Sequence, residues 1–269
     1  MPADGPRAQE QKAVDFRALH EGDPFIIPNP WDAGSAIVLE ALGFKALATT
    51  SSGFAFTLGR LDGSVTLAET VDHIRALAAA TSVPVSVDLE NGFGPAPADA
   101  ALAITRAAEA GAVGGSIEDY DPADGIYVLG YAAERVAAAS EAAGRLGFPF
   151  TLTARTENHI RGNPDLDDTI ARLQAYQEAG ADVLYAPGLR TGEEIAAVCD
   201  AVSKPVNVLA HPGLSFHEIV DAGAHRISLG GALAWTAVGA MAAAADEMSR
   251  LGVFASLGSG GQIREWLGG

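Results

Sequence analysis

Short β-branched and apolar runs alternate along the chain with longer stretches whose apolar residues fall at helical spacing. The runs are PFIIPNP from Pro24, KALATT from Lys45, VPVSVDLE from Val83 and GGSIEDY from Gly114. FPFTLTARTE from Phe148, DVLYAPG from Asp182, KPVNVLA from Lys204 and RISLGG from Arg226 complete a set of eight. Between them lie Ala-rich segments such as ADAALAITRAAEAGA and LDDTIARLQAYQEAGAD, periodic at 3.6 residues. Strands that alternate with helices predict βαβ units and a parallel sheet. Eight units in one chain predict an α/β fold of the (β/α)8 TIM-barrel type, with an open doubly wound sheet as the other arrangement.

EALGFKA, EAGAVGG, RLGFPF, EAGADV and DAGAHR each place Gly where a helix stops. The next strand follows within a few residues, as short αβ loops require. Residues 1–20 are expected as a packing helix, 251–269 as a Gly-rich tail, and 1–269 as a single domain. Two connections after strand ends are longer: SSGFAFTLGRLDGS at 51–64 and DPADGIYVLG at 121–130. Both read as loops over the end of the barrel where such enzymes build their sites.

With 48% hydrophobic and 19% charged residues, the 269-residue chain can bury a large core. Its net charge of 17 − 34 = −17 repels phosphate backbones and anionic lipid, so no nucleic-acid or membrane-surface partner is expected. Cys199 is the one cysteine, which excludes an intramolecular disulfide and a cysteine-based zinc cage. The stretch Ile227–Ala245 carries no formal charge over 19 residues, near the ~20 that span a bilayer. It is mostly Ala and Gly and divides into a strand, a Gly-Gly turn and a helix, so no membrane span is expected. The first residues lack the apolar core of a signal peptide, and a cytoplasmic location follows as the expectation.

The candidate chemistry gathers at strand ends. Strand alternation puts Asp88 and Glu90 of VDLENGFG on one face, with Glu118 at the matching level of the next run. Arg155 and Glu157 of TARTE share a face at the end of the fifth. Carboxylates held this close repel unless one stays protonated or a cation joins them. An all-oxygen set without Cys or His suits Mg²⁺ or Mn²⁺. A divalent ion beside Arg155 would reverse the local charge, receive a small carboxylate substrate and stabilise an enolate.

NPWDAGSAIVLEALGFKALATTSSGFAF, LGRLDG, VDLENGFG, GSIEDY and TARTE, in that order over residues 24–235, resemble the isocitrate lyase and phosphoenolpyruvate mutase superfamily. VDLENGFG is similar to its D-x-D-x-G-[YF]-G metal motif. The resemblance implies a (β/α)8 barrel, a homotetramer and a last helix exchanged between subunits. It implies Asp88 as the direct Mg²⁺ ligand, with Glu90, Glu118 and Asp62 holding the metal's waters. It further implies Arg155 on the substrate's oxygen or carboxylate, and Ser51, Ser52 and Gly53 as carboxylate donors. Asn207 is a further substrate-binding candidate near the end of the seventh strand.

Departures from the family pattern narrow the reaction. Lyases of this superfamily carry a Lys-Lys-Cys-Gly-His type loop after the fourth strand; this chain has Tyr120-Asp121-Pro122-Ala123-Asp124-Gly125. Cys199 falls instead in the helical segment EEIAAVCDAV, as a packing residue. The mutase E-D-K run becomes Glu118-Asp119-Tyr120, which disfavours phosphonate chemistry. Tyr120 or Tyr127 would serve as proton donor if a loop closed. The expected activity is a Mg²⁺-dependent carbon–carbon lyase acting on a small 2-hydroxy or 2-oxo di- or tricarboxylate. Oxaloacetate decarboxylation is the alternative, and a non-catalytic barrel that binds such acids is the rival class. His211, at a strand end, is placed near the pocket mouth, and His217 and His225 at the surface.

Overall fold

The computed structural model describes residues 6–258 and 260–267. Eight strands form one parallel sheet: β1 Phe25–Ile27, β2 Leu47–Ala48, β3 Val85–Asp88, β4 Gly114–Glu118, β5 Thr151–Arg155, β6 Val183–Tyr185, β7 Val206–Leu209 and β8 Arg226–Ser228. Each lies within one of the eight sequence runs. Neighbours are hydrogen-bonded in the order β1-β8-β7-β6-β5-β4-β3-β2, so the sheet curls until its first and last strands meet. At that seam Ala48 N–H donates to Pro28 O at 3.0 Å. The Asn29 side chain donates to Thr49 O at 3.0 Å and accepts from Leu229 N–H and Gly230 N–H at 2.8 and 3.0 Å. One amide thereby joins the ends of β1, β2 and β8. The barrel expectation holds.

Helices surround the sheet: α1 Pro6–Leu19, α2 Ala33–Ala41, α3 Ser51–Thr57, α4 Leu67–Ala80, α5 Pro97–Glu109, α6 Leu129–Gly144, α7 Leu166–Glu178, α8 Gly192–Ala201, α9 Phe216–Asp221, α10 Ala232–Leu251 and α11 Gly261–Trp266. Their starts follow local side-chain chemistry. Thr66 with Glu69, Thr191 with Glu194 and Ser215 with Glu218 form reciprocal capping boxes. Gly111 and Gly180 follow α5 and α7 with φ of 109° and 101°, as the stop signals predict. Gly147 of RLGFPF does not take that conformation.

Alternation along the strands separates two environments. Ile117, Leu152, Ala154, Leu184, Val206, Val208 and Ile227 face the helices and form the main apolar core. The alternate positions are largely polar and point into the barrel: Ser86, Asp88, Ser116, Glu118, Thr153, Arg155, Asn207, Arg226 and Ser228. Barrel interiors are more often filled by branched apolar residues. α1 closes the lower end, with Ala13 and Phe16 packed on Ile27, Ala46 and Val113. Gly114 makes this seat possible, since a Cβ there would lie 2.7 Å from Phe16 Cε1 and 2.9 Å from Thr151 O.

Both long connections acquire structure that their loop-like composition hides. Residues 51–57 form α3, with Thr50 Oγ1 accepting Gly53 N–H. Residues 120–126 fold into a two-stranded antiparallel hairpin, Tyr120–Asp121 with Gly125–Ile126. Within the expected N-terminal helix and Gly-rich tail, residues 1–5, 259 and 268–269 lie outside the described residues; α1 and the short α11 occupy most of the remainder. Of α10 only Ala234 is buried, leaving Trp235, Met241 and Leu251 exposed. No helix among the described residues is long and apolar enough to cross a membrane.

α5 and α6 present Ala100, Ala103, Ala107, Ala132 and Ala139, all buried, so the helical layer depends on small side chains. Ala103→Leu should therefore overpack this region and cost about 1–3 kcal/mol, read as a lower urea midpoint with an unchanged m-value. An unaltered midpoint would show that this layer has spare room.

Candidate active site

Asp88 ends β3, and the chain then turns sharply. Glu90 lies beyond the strand with φ of 49°, and its N–H approaches Asp88 Oδ1 at 3.3 Å. Strand alternation does not pair these acids, as the sequence suggested; a left-handed turn does. Gly92, φ 86°, allows the loop to lie against α5, where a Cβ would come within 2.8 Å of Ala100 Cα. Buried Arg135 on α6 donates to the carbonyls of Asn91 and Pro95 and fixes the rest of the loop.

The adjacent strand ends complete the group. Glu118 pairs in register with Arg155, and Asp88 with Ser116. Arg155 lies 3.5 Å from Glu118 and 4.0 Å from Asp88, and its Nε donates to Glu157. Glu157 is fully buried and also accepts from Arg161 at 3.0 Å. Arg161 in turn lies 3.7 Å over the Tyr120 ring and 4.0 Å from Glu118. Asp88 Oδ2 accepts from Ser51 Oγ at 2.9 Å. Asp62 is exposed on the loop after α3 and lies on the rim.

These groups line a cavity of about 750 Å³ at the C-terminal end of the barrel. Asp62, Asp88, Glu90, Glu118, Arg155, Tyr120, Ser51 and Ser52 all border it. Gly53 is buried behind that wall, with its N–H given to Thr50 Oγ1 at 3.3 Å. Asn207 lies deeper, bonded to Ser228 and Arg226 inside the barrel. Tyr127 is buried beside the hairpin, with its hydroxyl bonded to Asp121 and Asn91. His211 does not border the cavity, and His225 is pinned to Leu19 O at 3.1 Å. Cys199 is partly buried on α8, away from the cavity, and burial pushes its thiol up to about 11.

One contributor escaped the sequence reading. Asp119, beside Glu118 in the run SIEDY, points the other way, into the core. It accepts from Tyr176 Oη at 2.5 Å, Arg172 at 3.0 Å and Glu157 N–H at 2.8 Å, and so anchors the segment that carries Glu157. The Glu-Asp doublet at a strand end was its signal, because consecutive residues must face opposite sides. Tyr185 places its ring 5.3 Å from the Arg155 guanidinium carbon and forms part of the cavity floor.

Charge is out of balance here. Asp62, Asp88, Glu90, Asp99 and Glu118 border the cavity and Glu157 lies behind Arg155, six acids against the two cations Arg155 and Arg161. Burial, then Asp88 and Asp62, push Glu90 from 4.5 up to about 8, and its Oε1 is buried without a partner. Burial, with Glu157 and Asp88, holds the Glu118 carboxyl well above its usual range. Burial would lower Arg155, but Glu118, Glu157 and Asp88 raise it, so the guanidinium stays charged. Among the described residues no three Asp, Glu, His or Cys side chains converge tightly enough to hold an ion directly. The orphaned Glu90 oxygen and the two displaced carboxyls fit a divalent cation.

Residues 16–249 match the phosphoenolpyruvate phosphomutase family. The chain belongs to the isocitrate lyase and phosphoenolpyruvate mutase superfamily. It is 31% identical to the 2-methylisocitrate lyase of Halalkalibacterium halodurans, over 75% of this chain and 68% of that one. To the oxaloacetate decarboxylase of Bradyrhizobium diazoefficiens it is 30% identical, over 71% and 68%. A crystal structure from Burkholderia cenocepacia J2315, described provisionally as a lyase/mutase, superposes with a TM-score of 0.94 at 52% identity, covering 97% of this chain and 98% of that one. Within the superfamily, this chain is an enzyme of the carbon–carbon lyase type.

The raised Glu90 carboxyl gives a signed pH dependence. The folded, metal-free chain retains a proton that the unfolded chain loses above 4.5. The resulting stability is complete below about 4.5 and is lost as pH rises through about 8. Mg²⁺ favours the ionised carboxylate, so its affinity should rise over the same window and its binding should release protons. The Mg²⁺-induced gain in Tm should accordingly widen between about pH 5 and pH 8.5. A gain that stays constant with pH would separate Glu90 from the metal.

Proposed function

We propose that this superfamily member is a Mg²⁺-dependent carbon–carbon lyase, with Mn²⁺ as a substitute, acting on a small 2-oxo or 2-hydroxy di- or tricarboxylate. The observation that carries this reading is the cluster of displaced carboxyls beside a guanidinium that remains charged. Asp88 would hold the metal directly, and Glu90, Glu118 and Asp62 would hold its water shell. When bound, Mg²⁺ supplies Lewis-acid polarisation of the substrate's C2 oxygen. Arg155, fixed by Glu118 and Glu157, faces the same oxygen or the adjoining carboxylate. Its charge stabilises the negative charge that develops there. Ser51 and Ser52 offer donors to the C1 carboxylate.

For a 2-hydroxy acid, a base removes the hydroxyl proton as the C2–C3 bond breaks. The bonding pair then moves into the leaving fragment, which takes up a proton, and Tyr120, one of several hydroxyls on the cavity wall, is assigned as its donor. A second reading, oxaloacetate decarboxylation, is favoured by the absence of any thiol from the cavity, since Cys199 lies elsewhere. In that reaction the C3–C4 pair becomes the enolate, CO₂ departs, and water returns the proton to C3. This chemistry needs no placed acid.

The exposed apolar surface of α10 supports packing against another copy of the chain, in keeping with the homotetramer and exchanged helix that the superfamily resemblance implies. The acidic balance and the absence of a spanning helix among the described residues support a cytoplasmic setting without a nucleic-acid partner.

Release of 2-oxo acid from oxaloacetate, isocitrate and methylisocitrate, with and without Mg²⁺ and corrected for the protein-free rate, tests the function. Turnover that requires Mg²⁺ is expected with at least one of the three. Binding of 2-oxo acids without turnover would instead assign the chain to the non-catalytic class. Asp88→Ala should lower kcat/KM on the order of 10²–10³-fold while circular dichroism stays unchanged; full activity would remove Asp88 from the metal. Cys199→Ser should retain wild-type turnover, and its loss in a folded variant would give that thiol a catalytic part.

A further inference from the structure

Below the candidate active site the barrel interior holds a second, smaller cavity of about 60 Å³. Asp88, Arg155 and Tyr185 border both spaces, and Arg226 borders only the lower one. Arg226 is 5% exposed. Its Nε donates to Asn207 Oδ1 at 2.8 Å, its Nη2 to Thr153 Oγ1 at 3.0 Å, and its Nη1 lies 3.2 Å from His20 Nε2. His20 Nδ1 lies 2.8 Å from Phe16 O, which places the imidazole proton there and leaves Nε2 as an acceptor. All three partners are therefore neutral, and no carboxylate among the described residues forms an ion pair with Arg226.

Two of the other buried arginines are tied to carboxylates, and a third, Arg135, gives its donors to the carbonyls of Asn91 and Pro95 and borders neither cavity. Arg155 has Glu118 and Glu157, and Arg172 has Asp119 and Asp168. A buried charge without a counterion is strongly unfavourable. The charge is nevertheless present at neutral pH, because burial lowers Arg226 only to about 10. His20 does not share it, since burial and the neighbouring guanidinium push that imidazole down to about 3.

We propose that the lower cavity binds one small inorganic monoanion, of the charge and size of chloride, against Arg226. The guanidinium has five N–H donors and uses three of them on protein partners, so two remain for an anion. Ser86 Oγ also borders the cavity and makes no hydrogen bond to another protein group among the described residues, leaving its O–H free to donate. A space of about 60 Å³ has room for a halide ion or a few waters. Asn207 and Thr153 hold the guanidinium in place, which gives the polar lining of this barrel a use independent of the reaction above it.

The test uses full-length protein freed of halide in sodium methanesulfonate, with Mg²⁺ held constant, then titrated with bromide or chloride at fixed ionic strength. A saturable rise in Tm of roughly 5 °C is expected for the wild-type chain. Asn207→Asp would place a carboxylate beside Arg226, and its Tm should be insensitive to halide; Arg226→Met should be insensitive as well. Comparison of wild type and variant under the same salts cancels general salt effects. Crystals grown in bromide should show an anomalous peak within hydrogen-bond distance of Arg226. Equal halide responses in wild type and Asn207→Asp, or a cavity with water and no bromide peak, would overturn the proposal.

Discussion

Carboxylates crowded around one buried guanidinium are the constraint on which this site depends. Arg155 is held by Glu118 and Glu157, with Asp88 nearby, and Arg161 adds a second cation at the edge. Two cations do not neutralise six acids, of which Glu90, Glu118 and Glu157 are largely withdrawn from water. Burial first, and then the neighbouring acids, move the Glu90 and Glu118 carboxyls upward, so that protonation relieves part of the excess. A divalent cation relieves it without protonation and makes the mouth attractive to an anion. The same imbalance thus links metal binding, pH and substrate charge.

The scaffold holds these acids at a cost that the remainder of the barrel offsets. Asp119 accepts three hydrogen bonds on the reverse side of the strand end that carries Glu118, while Arg135 clamps the carbonyls of the loop that follows Asp88. Glu90 itself sits in a left-handed conformation that non-glycine residues seldom adopt. Such strain persists where surrounding contacts over-determine the backbone, and here they do.

Much of the fold was legible because its determinants are local. All eight strands fall inside the apolar runs, and Gly111 and Gly180 end helices as their positions imply. The difficulties arose where tertiary contacts override local pattern. SSGFAFT reads as a loop because Ser and Gly weaken a helix, yet Thr50 caps it into α3. Asp88 and Glu90 come together through a turn, since β3 ends before alternation could reach Glu90. Asn207 looks like a strand-end residue in one dimension, but β7 continues to Leu209 and leaves it deep in the barrel. The depth of a side chain depends on strand tilt and stagger, which no single run of sequence encodes.

The most direct measurement is diffraction from crystals soaked in Mn²⁺ and oxalate, a stable mimic of a 2-oxo acid enolate. The account predicts one anomalous peak at Asp88, with Glu90 and Glu118 reaching it through ordered water and Arg155 bonded to oxalate. Acids still paired only with Arg155 and Arg161, and no metal peak at the barrel mouth, would contradict it.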